Sequence, residues 1–281
     1  MGKIHLKNNS STPVFRKIAM GTWNGGGDPS VYGLLEIDMY EALNYIAELQ
    51  KKSEVKITPA HLVGKAIAKV LKLRPEINGI IRFNRIYNRK NIDIFYQVNV
   101  DGGDSDKIKG ANLSGCVVRN ADQLSVIEIA KSINTQATNA RSGNDLHFKN
   151  TFQLFRYLPW SLSRLALKIF SFINYDLNLN FSWAGIPSDP FGSVMITNVG
   201  SFGIEVAWAP LVPYSRVPLL LTVGSIKEQA RVVAGKICIR PVMKIGVTFD
   251  HRFMDGVHAA AMAHYFQKCF QDPKGFLSDE E

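Results

Sequence analysis

Apolar and polar positions alternate along "VYGLLEID" (31–38), the period of a half-buried strand, and then shift to helical spacing in "YEALNYIAELQKK" (40–52). A second helix is predicted within "ITPAHLVGKAIAKVLKLRPEING", with Thr58 as its cap, Pro59 in its first turn and Pro75 at its exit. Leu62, Ala66, Ile67, Val70 and Leu73 recur at helical spacing, which predicts a helix that packs one face inward. Alternation returns in "IDIFYQVNVDGG" (92–103), whose closing glycine pair marks a turn. After a polar loop, "GCVVRNAD" reads as a short buried strand. Ser125 and Glu128 then form a capping-box pair ahead of a helix running to about Gly143.

Towards the C-terminus, "GSVMITNVGSFG", "VPLLLTVGSI", "ARVVAGKICIR" and "VMKIGVTFD" read as four strands separated by turn residues, and "GVHAAAMAHYFQKCF" (256–270) as a closing helix. Strands and helices intermix, no repeat is visible, and the last connections are short. The pattern predicts one α/β domain over residues 1–281, a mixed β-sheet flanked by helices.

One stretch breaks the pattern. Residues 148–187 are rich in aromatics, with no acidic residue before Asp176, and Arg156, Arg164 and Lys168 fall on one helical side interrupted by Pro159. A basic amphipathic helix lies on membrane surfaces. A helical hairpin packed on the domain, or on a neighbouring subunit, has the same periodicity, and both readings stand.

Composition narrows the classes. The 281 residues are 46% hydrophobic and 20% charged, as in globular proteins with a substantial core. A net charge of +9 attracts polyanions, among them phosphorylated coenzymes. No basic stripe with interleaved stacking aromatics is present, so nucleic acid is not expected as a partner. Cys116, Cys238 and Cys269 are far apart and form neither a zinc spacing nor a disulfide framework. No metal is expected. With no secretory or membrane-spanning run, a cytoplasmic location is expected, peripheral to a membrane if 148–187 binds one.

The candidate chemistry lies in "VTFDHRFMDG" (247–256), where a strand gives way to a helix. A neutral imidazole is a competent general base near neutral pH if one orientation and one tautomer are held. His251 stands between Asp250 and Arg252, Asp255 follows, and Gly256 permits a tight turn into the helix. A solvated turn with Asp255 as a simple helix cap accounts for the same residues.

His251-Arg252-Phe253-Met254-Asp255-Gly256 resembles the HRxxDG signature of the dihydrolipoyl acyltransferase catalytic domain of 2-oxoacid dehydrogenase complexes; chloramphenicol acetyltransferase shares that fold and carries a related HxxxDG. "VVRNADQLSVIEIAKSI", "MITNVGSFGIE" and the segment from Ile57 through the strand pair after "PEIN" are similar to further stretches of the family in the same order. The resemblance implies a chloramphenicol acetyltransferase-like single domain and an acyltransferase moving an acyl group between coenzyme A, as acyl donor or acceptor, or another acyl thioester, and an acceptor of unknown identity. It implies His251 as general base, and Thr197, where the family has serine, as hydrogen-bond donor to the tetrahedral oxyanion. Asp255 is implied to hold the active-site loop by pairing with Arg16 of "VFRK", with Asn198 orienting the strand. The family further implies a homotrimer, alone or within a larger assembly, with His251 of one chain facing Thr197 of the next.

Three departures shape the expectation. No lipoyl or subunit-binding domain is recognised, so a stand-alone enzyme without a covalent lipoyl group is expected, acting on a small-molecule or carrier-bound acceptor. Ser114-Gly115-Cys116 replaces the family's T-P, behind a longer loop at 101–113. The insertion at 148–187 is expected to form a lid or a hydrophobic pocket for a different acceptor. A non-catalytic trimeric scaffold or membrane-surface protein retaining the fold is the alternative.

Overall fold

The computed structural model describes residues 6–8, 28–99, 113–142, 160–179 and 189–278. The alternation at 31–38 becomes β2 (Ser30–Asp38), following the short β1 (Leu6–Asn8), and the first helical pattern becomes α1 (Tyr40–Lys51). Helix α2 (Pro59–Leu73) starts as predicted, with Thr58 in extended backbone before the proline. The Thr58 N–H donates to His61 Nδ1 at 3.2 Å, so the third helical residue closes the cap.

A tight hairpin follows: β3 (Gly79–Arg82) and β4 (Arg85–Arg89) are joined by Phe83 and Asn84, both with positive φ. Next come β5 (Ile94–Asn99), β6 (Leu113–Val118) and α3 (Val126–Arg141). The capping box at α3 forms as expected, Glu128 N–H donating to Ser125 Oγ at 3.1 Å and Ser125 N–H to Glu128 Oε2 at 2.8 Å. Within the aromatic segment, α4 (Trp160–Ser171) runs into a π-helical turn, Phe172–Asp176. The chain then enters β7 (Val194–Asn198), β8 (Leu219–Val233) and β9 (Lys236–Asp250), and ends in α5 (Gly256–Gln271) and α6 (Pro273–Leu277).

Six strands form the main sheet in the order β2-β9-β8-β7-β5-β6. The pairs β5–β7 and β7–β8 are parallel and the rest antiparallel, which gives the mixed sheet expected. A separate antiparallel sheet has the order β1-β4-β3. Alternation sorts the two faces. Ile196, Leu219, Leu221, Val223, Ile245 and Val247 join side chains of α1, α2, α3, α5 and α6 in one core. Met195 and Leu220 point the other way, into a smaller cluster with Val217 and the loop residues Ala209, Leu211 and Val212.

Two expectations need correction. Helix α2 is buried on nearly every side from Ala60 to Ala68, including Lys65, because helices pack around it as well as the sheet; Leu73, assigned inward, is 57% exposed near the helix end. Its Gly64 is required by close approach, since a Cβ there would fall 1.5 Å from the Tyr96 hydroxyl of β5. Second, the four C-terminal strands are three. "VPLLLTVGSI" and "ARVV" belong to one 15-residue β8, and the remainder to a 15-residue β9. The polar Lys227–Gln229 stretch, read as a turn, is a part of the β8–β9 ribbon that runs beyond the end of β2 into solvent.

Candidate active site

Strand β9 delivers the chain to His251, and the turn after it is built from backbone bonds. Phe253 and Met254 N–H groups both donate to the Asp250 carbonyl at 2.9 Å, and the His251 N–H donates to the Pro29 carbonyl at 2.9 Å. Phe253 and Met254 are buried in the main core and pin the turn from below. The His251 ring is half-buried, with Nδ1 3.0 Å from the Met254 carbonyl oxygen. A carbonyl only accepts, so Nδ1 carries a proton, and in the neutral ring Nε2 is the basic nitrogen. The turn thus fixes one tautomer and one ring orientation.

Asp255 caps α5: its Oδ1 accepts from Val257 N–H at 3.0 Å and His258 N–H at 3.2 Å, and lies 2.7 Å from His258 Nδ1. Arg16, the partner implied for Asp255, lies outside the described residues. A second clamp escaped the sequence reading as a pair. Buried Asp250 holds Arg252 through Nη2–Oδ2 at 2.7 Å and Nε–Oδ1 at 3.1 Å, and also accepts the Arg252 N–H at 2.9 Å. The Asp-x-Arg spacing was its only trace. Gly256 does not have the role assigned to it. Its φ is not positive and an added Cβ would meet nothing within 4 Å, so the turn into α5 does not require glycine there.

Thr197 lies elsewhere. It sits near the end of β7, half-buried, on the face shared with Met195. Asn198 secures the following 3-10 turn (Gly200–Phe202): its side-chain oxygen accepts from Ser201 N–H at 3.3 Å and its carbonyl from Ser201 Oγ at 2.9 Å. Thr197 is in register with Thr222, and Thr222 with Gly246, two strands across. His251 is five residues beyond Gly246. At ~4.8 Å per strand and ~3.3 Å per residue, the two positions lie on the order of 19 Å apart within one chain.

A cleft of about 550 Å³ opens where β9 stops. Asp250 and Arg252 are among its lining residues, but His251 between them is not; Ile81 and Phe83 of the β3–β4 hairpin, Leu211 of the loop and Asp176 of the π-turn also line it. Arg216 joins these walls, with Nη2 2.7 Å from Asp176 Oδ2 and Nε donating to Ser171 Oγ at 3.0 Å. Of the basic side predicted for the aromatic segment, Arg156 and the Arg164 side chain lie outside the described residues, and Lys168 is exposed. Among the described residues, no helix is long and apolar enough to cross a membrane.

Comparison with known proteins gives a consistent result. The family model described as 2-oxoacid dehydrogenases acyltransferase (catalytic domain) matches residues 26–148 and 191–278, leaving 149–190 between its two parts. The chain is 27% identical over 249 residues to the dihydrolipoyllysine-residue succinyltransferase component of the 2-oxoglutarate dehydrogenase complex of Bartonella vinsonii subsp. berkhoffii. That alignment covers 87% of this chain and 48% of the relative, so the chain spans about half the relative's length. Among solved structures it resembles the Azotobacter vinelandii dihydrolipoamide acetyltransferase, studied for the role of a serine, a histidine and an asparagine in its catalytic mechanism. The TM-score is 0.64 at 20% identity, covering 96% of this chain and 94% of that one. A chloramphenicol acetyltransferase superposes with a TM-score of 0.51 at 11% identity, covering 98% of this chain and 100% of that one, which bears out the expected fold.

Proposed function

Because this chain belongs to the family of 2-oxoacid dehydrogenase acyltransferase catalytic domains, we propose that it moves an acyl group between coenzyme A and an acceptor, with His251 as general base. The observation that supports the reading is the Nδ1 contact to the Met254 carbonyl, which makes Nε2 the basic nitrogen of the neutral ring. The acceptor's hydroxyl, amine or thiol gives its proton to Nε2 and attacks the thioester carbonyl. The carbon–sulfur bond breaks as the tetrahedral intermediate collapses, and the proton passes to the leaving thiolate. The Thr197 hydroxyl donates to the oxyanion of that intermediate. The Azotobacter protein was studied for a serine and a histidine at nearly the interval of Thr197 and His251, and for an asparagine at the position after the histidine that Asp255 takes here.

A separation of ~19 Å between strand positions keeps Thr197 from His251 within one protomer, so the reading requires them from different copies. Tyr32, Leu34, Phe202, Ile204 and Trp208 are large exposed apolar side chains on β2 and on the loop after Thr197, a surface that suits a second copy. We take the assembly to be a cyclic trimer. Coenzyme A is a substrate here, and the basic balance of the chain suits its phosphates.

The test is turnover of an acyl-coenzyme A panel with free-thiol detection. His251→Ala should abolish coenzyme A release. Thr197→Val should lower kcat about 100- to 1,000-fold and Thr197→Ser should retain most of it, since one oxyanion donor is worth ~3 kcal/mol. Equal rates in wild-type and His251→Ala protein would overturn the proposal in favour of a non-catalytic scaffold.

A further inference from the structure

Thr197 stands where both of its strand ladders run out. The β5–β7 pairing ends at Gln97 and Thr197, and the β7–β8 pairing one residue later at Asn198 and Val223. Strand ends open easily unless the chain beyond them is tied down. Here it is tied to β8. Val199 N–H donates to the Val223 carbonyl at 3.0 Å, and a Cβ on Gly200 would fall 2.5 Å from the Gly224 carbonyl oxygen. Gly203, with φ 77°, turns the chain back, and Ser225 N–H donates to the Ile204 carbonyl at 2.9 Å. Residues 204–208 then cross β8, β9 and β2 as a strap. The Glu205 carbonyl lies over Gly224 of β8 and the Ala207 carbonyl over Gly246 of β9, where Cβ atoms would come within 1.9 and 2.1 Å of them. Both positions therefore require glycine, because a backbone passes directly above them. Thr222 Oγ1 donates to the Ala207 carbonyl, and Trp208 Nε1 to the Gly33 carbonyl of β2 at 2.9 Å.

One ionic contact closes the turn between Thr197 and the strap. Lys244 of β9, whose carbonyl would meet a Cβ on Gly224 at 2.8 Å, donates from Nζ to Glu205 Oε1 at 2.6 Å, and Gln229 Nε2 donates to the same oxygen at 3.4 Å. The Lys244 contact holds the Glu205 carboxyl below the ordinary carboxylate range. The Glu205 side chain is 41% exposed, and a pair this open adds little to overall stability. Its place matters more than its strength: Gly200 and Glu205, the two ends of the turn that follows Thr197, both rest on Gly224, and Lys244 fastens the second of them. Resting on the acyltransferase reading above, we propose that Glu205 and Lys244 are positioning residues for the oxyanion donor, locking the strap to β9 and so fixing where the Thr197 hydroxyl stands. Neither touches the reacting atoms. A donor displaced by ~1 Å loses on the order of 100-fold in rate, so a partly loosened strap should cost about tenfold.

The experiment is a double-mutant cycle in the full chain, read as coenzyme A release from an acyl-coenzyme A panel. Lys244→Met keeps the apolar stem and removes the ammonium; it should lower kcat about tenfold and leave KM for the acyl donor, the urea midpoint and the sedimentation mass as in wild type. Lys244→Arg keeps the cation and should retain most of kcat. Glu205→Ala combined with Lys244→Met should fall no further than either alone, because the pair acts as a unit. In a Thr197→Val background the Lys244→Met loss should vanish, since the donor it positions is gone. Unchanged kcat in Lys244→Met overturns the proposal while leaving the acyltransferase reading intact. So does a tenfold loss that persists in the Thr197→Val background, which would make the pair a general support, and so does a change in mass, which would make it a contact between copies. Wild-type protein that releases no more coenzyme A than His251→Ala removes the acyltransferase reading, and the positioning role falls with it.

Discussion

Replacing Asp189 by asparagine isolates one buried charge at the point where the chain re-enters the sheet. Asp189 Oδ2 accepts from Arg89 Nε at 3.0 Å, and the two side chains are only 9% and 3% exposed. Asn preserves the side chain's shape and tolerates the positive φ of 39° found there, so backbone strain is not the variable. What changes is that Arg89 becomes a buried cation whose other acceptor among the described residues is the neutral Gly79 carbonyl. Breaking a buried pair at one end costs about 3–5 kcal/mol, against a total stability on the order of 5–15 kcal/mol. The same corner holds the entry to β7: Arg119 Nη1 donates to the Asp189 carbonyl at 3.0 Å and to Asp93 Oδ2 at 2.7 Å, and Ser193 N–H to the Asp93 carbonyl at 2.7 Å. Urea denaturation should therefore show a lower midpoint with unchanged slope, and kcat should fall as Thr197 loses its support. Neutralising both partners, Arg89→Met with Asp189→Asn, should recover most of the loss, because no unpaired charge remains. A loss below ~1 kcal/mol in the single variant, or a double variant worse than it, would refute the reasoning.

Burial holds the His61 imidazole down to about 4 from 6.5, and the neutral ring accepts the Thr58 N–H. The unfolded chain takes the proton first, so this contribution is intact above pH ~6.5 and is lost as pH falls towards ~4, by about 3 kcal/mol. His61→Gln should have a shallower dependence of unfolding free energy on pH across that window; identical slopes would contradict it. Asp255→Ala removes acceptors for two α5 amides and should cost ~1 kcal/mol in urea melts, with a loss of kcat as the His251 turn loosens; Asp255→Asn keeps the cap and should melt close to wild type.

The strands and helices whose apolar period was undisturbed were legible from the residues: β2, α1, β6 with the α3 cap, and the start of α2. What failed shares a cause. Polar Lys227–Gln229 looked like a turn because period-2 reasoning assumes one buried face, and the outer β8–β9 ribbon is solvated on both. Leu73 kept helical spacing past the point where α2 has anything to pack against. At the site, the His251 turn and its Asp255 cap were readable because they are contiguous, whereas the Asp250–Arg252 clamp left only an Asp-x-Arg spacing and was not read as a pair. The pairs Arg89–Asp189 and Arg216–Asp176 were not, because their members are 100 and 40 residues apart and only the folded chain brings them together.

The central claim is that one protomer supplies the base and its neighbour the oxyanion donor. Purified His251→Ala and Thr197→Val proteins, each nearly inactive alone, are unfolded together in equal amounts, refolded and assayed for coenzyme A release. In a randomly mixed trimer about one quarter of the sites pair an intact His251 with an intact Thr197 across an interface, so about one quarter of wild-type activity should return. A mixture no more active than the average of its two parents would contradict the account.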